Sequence, residues 1–415
     1  MTLSSQQTKI MFLTNYVCRS RVDFLGPVGE RYAGLYFSFM ERFRSKYDFY
    51  WHSGTDGKTY EYQAESNTLQ PLSSDIENHG RLSLIKVILF FCLSNLKAQK
   101  IFIVSYPYFP NSLLLASLLF LVKPFRVSTV VDVIDLPRET PGTAGYVLWR
   151  IVDELYYLHA LFIFNATECA KLFARRIRRR IIVIPMAAHD DLITPTPSAA
   201  TGNGVRVGYV GTISRARGFP DFIEIVNHLR GEGLVIDLVI NGSNPENIHL
   251  GSFPWVRLHE LQSFESFSEL LGTFDVGVIP YVDKEYWDYM SITKMATYMA
   301  AGLPILSMQL TETSNILAKW NCGVSVKDWA DMAVALKQLC EDRSLIERLG
   351  RNSRRAAVEE YNWAKQAERL GRFLEDLVAN FGLGNQRLDR EPTRSGAHYY
   401  MARKATKLAS RQSVD

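Results

Sequence analysis

Several familiar signatures are missing from this sequence, and each absence narrows what it can be. No run is apolar for long enough to cross a bilayer. The two most apolar stretches, Leu84–Leu96, interrupted by Lys86, and Ser112–Val122, fall short of the roughly 20 residues a spanning helix needs. They read as buried core helices, with an interfacial helix as the alternative. The amino-terminal stretch has no basic region followed by a long apolar one, and Thr14 and Asn15 interrupt its short apolar run, so no signal peptide is expected. The five cysteines, Cys18, Cys92, Cys169, Cys322 and Cys340, are odd in number and show no C-x-x-C spacing. A disulfide framework and a thiolate metal site are thereby disfavoured, and a reducing, cytoplasmic setting fits. An Asp-x-Asp pair for a divalent cation is lacking too, Asp283-Lys-Glu285 being among the nearest approaches, and the eight histidines include no H-E-x-x-H or H-x-x-x-H. No metal is expected. The first strand is not followed by G-x-G-x-x-G, its loop offering only Gly26-x-x-Gly29, which argues against a nicotinamide dehydrogenase. The net charge of +4 is too small over 415 residues to indicate a nucleic-acid binder.

What is present is a long β/α alternation. At 415 residues, 47% of them hydrophobic, the chain exceeds one ordinary core, and two domains of about 180 residues are expected. In the first half, strands are expected at Lys9–Asn15, Tyr47–His52, Lys100–Ser105, Val127–Ile134, Leu161–Asn165 and Arg180–Pro185. Helical stretches intervene, among them Arg31–Arg44 and residues 145–159. Such alternation implies an α/β fold with a parallel sheet covered on both faces. Residues 194–204, TPTPSAATGNG, have linker composition. A second unit then runs from Val205: strands at Val205–Val210, Leu234–Asn241, Asp275–Tyr281 and Pro304–Met308, with helices to Tyr361. A last helix covers about 362–382. Residues 383–415 are basic and polar and are expected to be a flexible tail.

Two segments of the second half suit a phosphate ligand. A departing nucleoside diphosphate needs cations and backbone N–H groups aimed at its developing charge. Gly211-Thr212-Ile-Ser-Arg215-Ala-Arg217-Gly218 follows a buried strand directly, so its glycines let backbone approach a phosphate while Arg215 and Arg217 supply charge. Ser291-Ile-Thr293-Lys294-Met-Ala-Thr297-Tyr298 opens a short helix that Ser291 or Thr293 can cap. Lys294 falls in the first turn, where a cation opposes the helix dipole, so an anionic ligand explains it better than helix stability does. Thr297 and Tyr298, one turn later, are spaced to reach hydroxyls of the same ligand. Ordinary packing is the alternative for both. In the first half, Asp135 falls at the carboxyl end of a parallel strand, where open α/β sheets gather ligands, and is a candidate base or acceptor-orienting carboxylate; a helix cap is its alternative.

On these segments the chain resembles the group 4, formerly group 1, glycosyltransferases of the GT-B fold, over roughly Lys9 to Phe381. Gly211–Gly218 resembles that family's phosphate loop, with Arg217 where lysine is usual. Lys294–Pro304 resembles its lysine to alanine-glycine-x-proline block, and Tyr361-Asn362-Trp363 the start of its closing helix. Ile101–Pro107 with Val131–Glu139 is similar to capsule and O-antigen transferases, which mostly use polyprenyl-diphosphate-linked acceptors. The resemblance implies two Rossmann-like domains with a cleft between them, residues 1–193 binding the acceptor and 205–361 the nucleotide sugar. It also implies no cofactor beyond a nucleotide-diphosphate sugar as co-substrate. Catalysis would fall to Asp135, Lys294 and Arg217. Gly211, Thr212, Arg215, Gly218, Ser291, Thr293, Thr297, Tyr298 and Gly29 would bind substrate.

The chain departs from the pattern where the family's paired glutamates align with Tyr289 and Thr297, and where Thr212 replaces an arginine. The missing acidic pair keeps a catalytically silent partner subunit open as an alternative, and a sugar-nucleotide epimerase, which shares the architecture, is another. A basic run, Lys171, Arg175, Arg176, Arg178, Arg179 and Arg180, suits anionic lipid at the cytoplasmic membrane face or simply a solvated helix end.

Overall fold

A computed structural model describes residues 7–15, 31–72, 81–93, 96–106, 112–135, 144–173, 181–191, 193, 204–260 and 263–379. The linker 194–203, Gly29, Arg175–Arg180 and the basic tail lie outside the described residues.

By its contacts the chain divides into two compact units. One takes in Met1–Arg21, Leu35–Ile184 and the chain from Ala367; the other takes in Val22–Gly34 and Pro185–Gln366. The first unit holds an eight-stranded sheet in the order β4-β3-β2-β1-β5-β6-β7-β8. Its parallel part is β2 (Tyr47–Ser53), β1 (Thr8–Thr14), β5 (Lys100–Tyr106), β6 (Val127–Val133), β7 (Leu161–Phe164) and β8 (Ile181–Val183). All seven residues of β5 are buried, as befits a central parallel strand covered on both faces. Phe12 of β1 stacks on Tyr36 at 4.6 Å, and the Tyr36 hydroxyl donates to the buried Asp132 carboxylate at 2.6 Å.

The sheet is not wholly parallel, contrary to the sequence reading. β3 (Thr59–Gln63) and β4 (Thr68–Pro71) add antiparallel strands at one edge. Local turn chemistry makes them: the Asp56 carboxylate accepts from the Lys58 N–H at 2.9 Å and from the Tyr60 hydroxyl at 2.6 Å. Asn67 turns the second corner with φ 52°, its side chain accepting from Tyr62. Both strands are short and half polar, so hydrophobic periodicity did not mark them.

The expectation of two buried core helices is corrected. Arg81–Leu93 buries Leu84, Val87, Ile88 and Phe91 but leaves Leu89, Phe90 and Leu93 exposed. Ser112–Leu121 buries Leu115, Ala116 and Leu119 and exposes Leu113, Phe120 and Leu121. Each helix is apolar over most of its surface, yet only part of that surface is buried. No described helix is long and apolar enough to cross a membrane.

The second unit has a six-stranded parallel sheet in the order β11-β10-β9-β12-β13-β14. Its strands are β9 (Val205–Val210), β10 (Ile236–Asn241), β11 (Val256–His259), β12 (Val276–Ile279), β13 (Ile305–Met308) and β14 (Gly323–Val326). The edge strands β11 and β14, and the helix Thr311–Trp320, were not expected from sequence; all three are short or largely polar. Neighbours β9 and β12 are distant in sequence, so strand order reverses between them, and ligands gather outside the carboxyl ends of strands at such a point. The final helix, Trp363–Ala379, starts in this unit and continues in the other, where Glu368 pairs with Arg42, Glu375 with Lys46, and Gly371 lies against the Phe43 ring.

Close backbone approach decides one position in β9. A Cβ on Gly208 would stand 1.8 Å from the Phe274 ring, which is itself buried. Gly208→Ala is expected to destabilise the second unit by about 1–3 kcal/mol, as overpacking does. Denaturant titration checks this, and a midpoint equal to that of the parent protein would contradict it.

Candidate functional site

The carboxyl ends of β9 and β12 build the candidate site. Beyond β9 the chain turns at Gly211, whose φ of 118° is open to glycine and strained for other residues. Gly242, at the end of β10, lies so close beneath that a Cβ there would meet the Gly211 carbonyl at 2.1 Å, a backbone contact that no side-chain rotation relieves. The turn is held further on: the Gly211 N–H donates to Asn241 O at 2.8 Å and the Ile213 N–H to Ser243 O at 2.9 Å. The Thr212 carbonyl accepts from Arg217 Nη1 at 2.6 Å and from the Tyr209 hydroxyl at 2.8 Å, so cation and loop are fixed together.

Lys294 reaches this turn from the helix Thr293–Ala300. Its Nζ lies 3.4 Å from where a Gly211 Cβ would be. The amine is buried, 4.0 Å from the centroid of the Tyr209 ring and 4.5 Å from that of Tyr281, and it donates to the Tyr281 hydroxyl. The Arg217 guanidinium lies 5.7 Å from the Tyr281 ring and 6.0 Å from Trp287, and those two rings pack at 4.5 Å. Ring faces thus hold both cations through cation–π attraction. Burial, and then the neighbouring Arg217 charge, hold Lys294 well below its ordinary pKa. Burial likewise pushes the Tyr209 and Tyr281 phenols up, although Arg217 opposes the rise in both.

The helix that carries Lys294 is not capped as expected. Its N-cap is Ile292, with no side-chain cap hydrogen bond, so neither Ser291 nor Thr293 caps it. Ser291 is buried and its Oγ accepts from the Met186 N–H at 3.1 Å. An uncapped helix start, with a lysine in its first turn and a glycine turn beside it, suits an anion.

Other expected residues are placed differently. Thr297 is buried, its hydroxyl facing Thr293 O at 3.4 Å. Tyr298 is fully buried; its hydroxyl accepts from the Val210 N–H at 3.0 Å and faces Val278 O at 3.4 Å. It bridges β9 and β12 where their ladder ends and so supports the turn from beneath. Thr212 and Ser243 meet through their hydroxyls at 3.2 Å. Arg215 is exposed, its side chain 3.9 Å from Glu246 and its N–H donating to the same carboxylate. Gly218 has φ 67° and packs under Pro280 O and the Trp329 ring. Asp135 belongs to the first unit, partly exposed just past β6, and its neighbour Ile134 is tied to Tyr106 and Asn165. His189 is buried, its ring meeting Phe264 edge-on at 6.1 Å.

Sequence reading missed Tyr209, Tyr281 and Trp287. The available signal was an aromatic residue at the carboxyl end of each of two strands, but strand adjacency was needed to bring them around one amine. It also missed Asp288, whose carboxylate accepts from the Thr311 N–H at 2.9 Å and ties the loop before Lys294 to the next helix. Among the described residues no group of three or more His, Cys, Asp or Glu could hold a metal ion.

Comparison with known proteins finds a likeness in one segment and in the fold. Residues 204–342 match the family profile described as Glycosyl transferases group 1. Sucrose-phosphate synthase from Thermosynechococcus elongatus superposes with a TM-score of 0.65 at 12% identity, covering 90% of this chain and 99% of that one. HepE from Anabaena, solved with UDP, superposes at 0.64 and 13% identity, covering 89% and 100%. The α,α-trehalose 6-phosphate synthase of Burkholderia multivorans gives 0.60 at 10% identity, covering 90% and 99%. At these identities the likeness is one of fold, and that fold is GT-B, of two α/β Rossmann-like units. No curated protein matches the chain by sequence.

The buried amine yields a stability test. The folded pKa of Lys294 lies below its ordinary 10.5. Its contribution to stability is therefore full above the unfolded pKa and is lost as pH falls toward the folded one. Lys294→Met removes the group with little change in volume. It should leave the melting temperature at neutral pH unchanged or raised, and should flatten its dependence on pH between neutral and alkaline solution. A fall in melting temperature of more than about 4 °C, roughly 1 kcal/mol or more in a protein of this size, would show that the ionised amine stabilises the fold.

Proposed function

We propose that this chain is a glycosyltransferase that moves a hexosyl group from a nucleotide-diphosphate sugar to a lipid-linked or oligosaccharide acceptor in surface-polysaccharide or exopolysaccharide assembly. The observation that carries the reading is the convergence of Lys294, Arg217 and the Gly211 turn at an uncapped helix start. Two cations placed beside a backbone turn are disposed for a diphosphate. The profile match over residues 204–342 covers the same turn and helix. HepE, of the same fold, was solved with UDP.

In this reading the bond from the anomeric carbon to the diphosphate oxygen breaks, and the charge that grows on that oxygen is met by Lys294 and Arg217. The acceptor oxygen bonds to the anomeric carbon, and its proton passes to Asp135. Gly211 and Gly218 shape the turn against which the phosphates lie, their own N–H groups being taken by Asn241 O and Arg215 O, with Thr212, Arg215, Ser291, Thr293 and Thr297 as further contacts to the nucleotide sugar. Tyr298 acts indirectly, by holding β9 and β12 under the turn. No metal and no cofactor besides the sugar nucleotide enters the scheme.

A lowered pKa fits a leaving-group cation. The amine is poorly stabilised when ionised in the free protein, and a diphosphate beside it restores the charge. Binding should therefore be accompanied by proton uptake, up to about one proton, at pH values between the free and bound pKa. Calorimetry of UDP-sugar binding at mildly alkaline pH, in buffers of different ionisation enthalpy, measures this, and Lys294→Met should abolish it. Thermal-shift screening of nucleotide sugars identifies the donor, since a ligand at about 100 times its Kd stabilises by about 2.7 kcal/mol. Lys294→Ala should cost about 100-fold or more in transfer rate. Full transfer with unchanged donor affinity in that variant would refute the role. Donor conversion without acceptor would indicate an epimerase, and donor binding without turnover a silent subunit.

A further inference from the structure

Three neighbouring helices of the first unit present an apolar face to solvent. Arg81–Leu93 packs on Ser112–Leu121, and Ser112–Leu121 packs on Ala144–His159. The Phe120 ring meets His159 edge-on at 5.6 Å, joining the last two. Phe90 is 59% exposed, Leu93 56%, Leu121 67% and Leu158 60%. Leu89, Leu96, Leu113, Val147, Leu148 and Ile151 are exposed on the same helices or just beyond their ends. Single exposed apolar residues need no explanation, but a contiguous set on three packed helices marks an interaction surface.

Charge identifies the partner. From Arg81 through Val131 the sequence contains no Asp or Glu, although acidic residues number 43 in the chain. The same stretch exposes Lys86, Lys97, Lys123 and Arg126. Each of the three helices runs into the amino end of the following strand, β5, β6 or β7. Leu93, Leu96, Phe120, Leu121 and Leu158 therefore gather at one end of the unit, beside Lys97, Lys123 and Arg126. There the Arg126 carbonyl accepts from the Lys100 N–H at 3.0 Å. The third helix does carry carboxylates, but Asp153 accepts from the Tyr106 hydroxyl and Glu154 pairs with Arg150 at 3.7 Å.

We propose that this face docks the protein on an anionic lipid surface, its leucines and phenylalanines entering the interface while the surrounding cations meet lipid headgroups. Apolar insertion combined with basic flanks is the composition that holds a helix in the plane of a charged bilayer. A second copy of the chain fits less well, because a two-fold contact would set one basic rim against its twin. The proposal goes beyond the transfer reading and does not depend on it.

Co-sedimentation of the full chain with phosphatidylcholine vesicles, with and without phosphatidylglycerol, tests it. Binding should require the anionic lipid and weaken with salt. The triple variant Lys97→Glu, Lys123→Glu, Arg126→Glu should lose binding by at least about tenfold. Phe120→Ser with Leu121→Ser should lose it equally at low salt. Circular dichroism and melting temperature report folding, and because the charge variants alter only exposed side chains they keep the test valid if the apolar pair fails to fold. Absence of binding by the parent protein, or binding that neither variant weakens, would overturn the proposal. So would a dimer in analytical ultracentrifugation that the Phe120→Ser, Leu121→Ser variant dissociates, which would assign the face to a second copy. Nucleotide-sugar thermal shift without vesicles reads the second unit separately, so failure of docking and failure of the transfer reading are distinguishable.

Discussion

The candidate site depends on keeping an amine buried against aromatic rings. The Lys294 ammonium is placed against the faces of Tyr209 and Tyr281 and within reach of the Tyr281 hydroxyl. Ring quadrupoles and one phenol oxygen stabilise the charge only in part, so burial and Arg217 keep its basicity low. A carboxylate at this point would have stabilised the ion and left nothing for an anionic ligand to do. The arrangement leaves the amine with electrostatic capacity that its surroundings do not use up.

Rigid surroundings make that possible. Gly242 under Gly211 lets two backbone segments approach closely enough to set the turn, and Arg217 and Tyr209 hold the Thr212 carbonyl from either side. Tyr298 supplies hydrogen bonds between β9 and β12 as the ladder ends, and Gly277 leaves room for its ring, where a Cβ would come within 2.5 Å. Such packing holds the turn and the amine in fixed positions. It costs the protein freedom at several glycines.

The first unit shows a different constraint. Its apolar helices bury one set of side chains and leave another in water. Natural surfaces usually carry charged residues there; this one carries leucine and phenylalanine within a stretch devoid of acids. The periodicity of the two helices could not reveal this, because a helix apolar all round has no polar stripe by which to tell its inner side from its outer one.

Much was legible from the sequence alone. The β/α alternation, most of the central strands, the glycine turn after β9 and the lysine in a helix's first turn follow from local rules of periodicity, φ-space and dipole. Edge strands β3, β4, β11 and β14 did not, because half-polar segments of four or five residues carry little periodic signal. Only tertiary structure decided which side chains surround Lys294, since Tyr209, Tyr281 and Arg217 come from elements joined by strand order and not by sequence distance. It likewise set the Tyr298 hydroxyl between β9 and β12, and left two apolar helices with one side in water. Sequence determines what each segment can be locally; what a buried charge or an apolar face encounters depends on which segments the sheet makes neighbours.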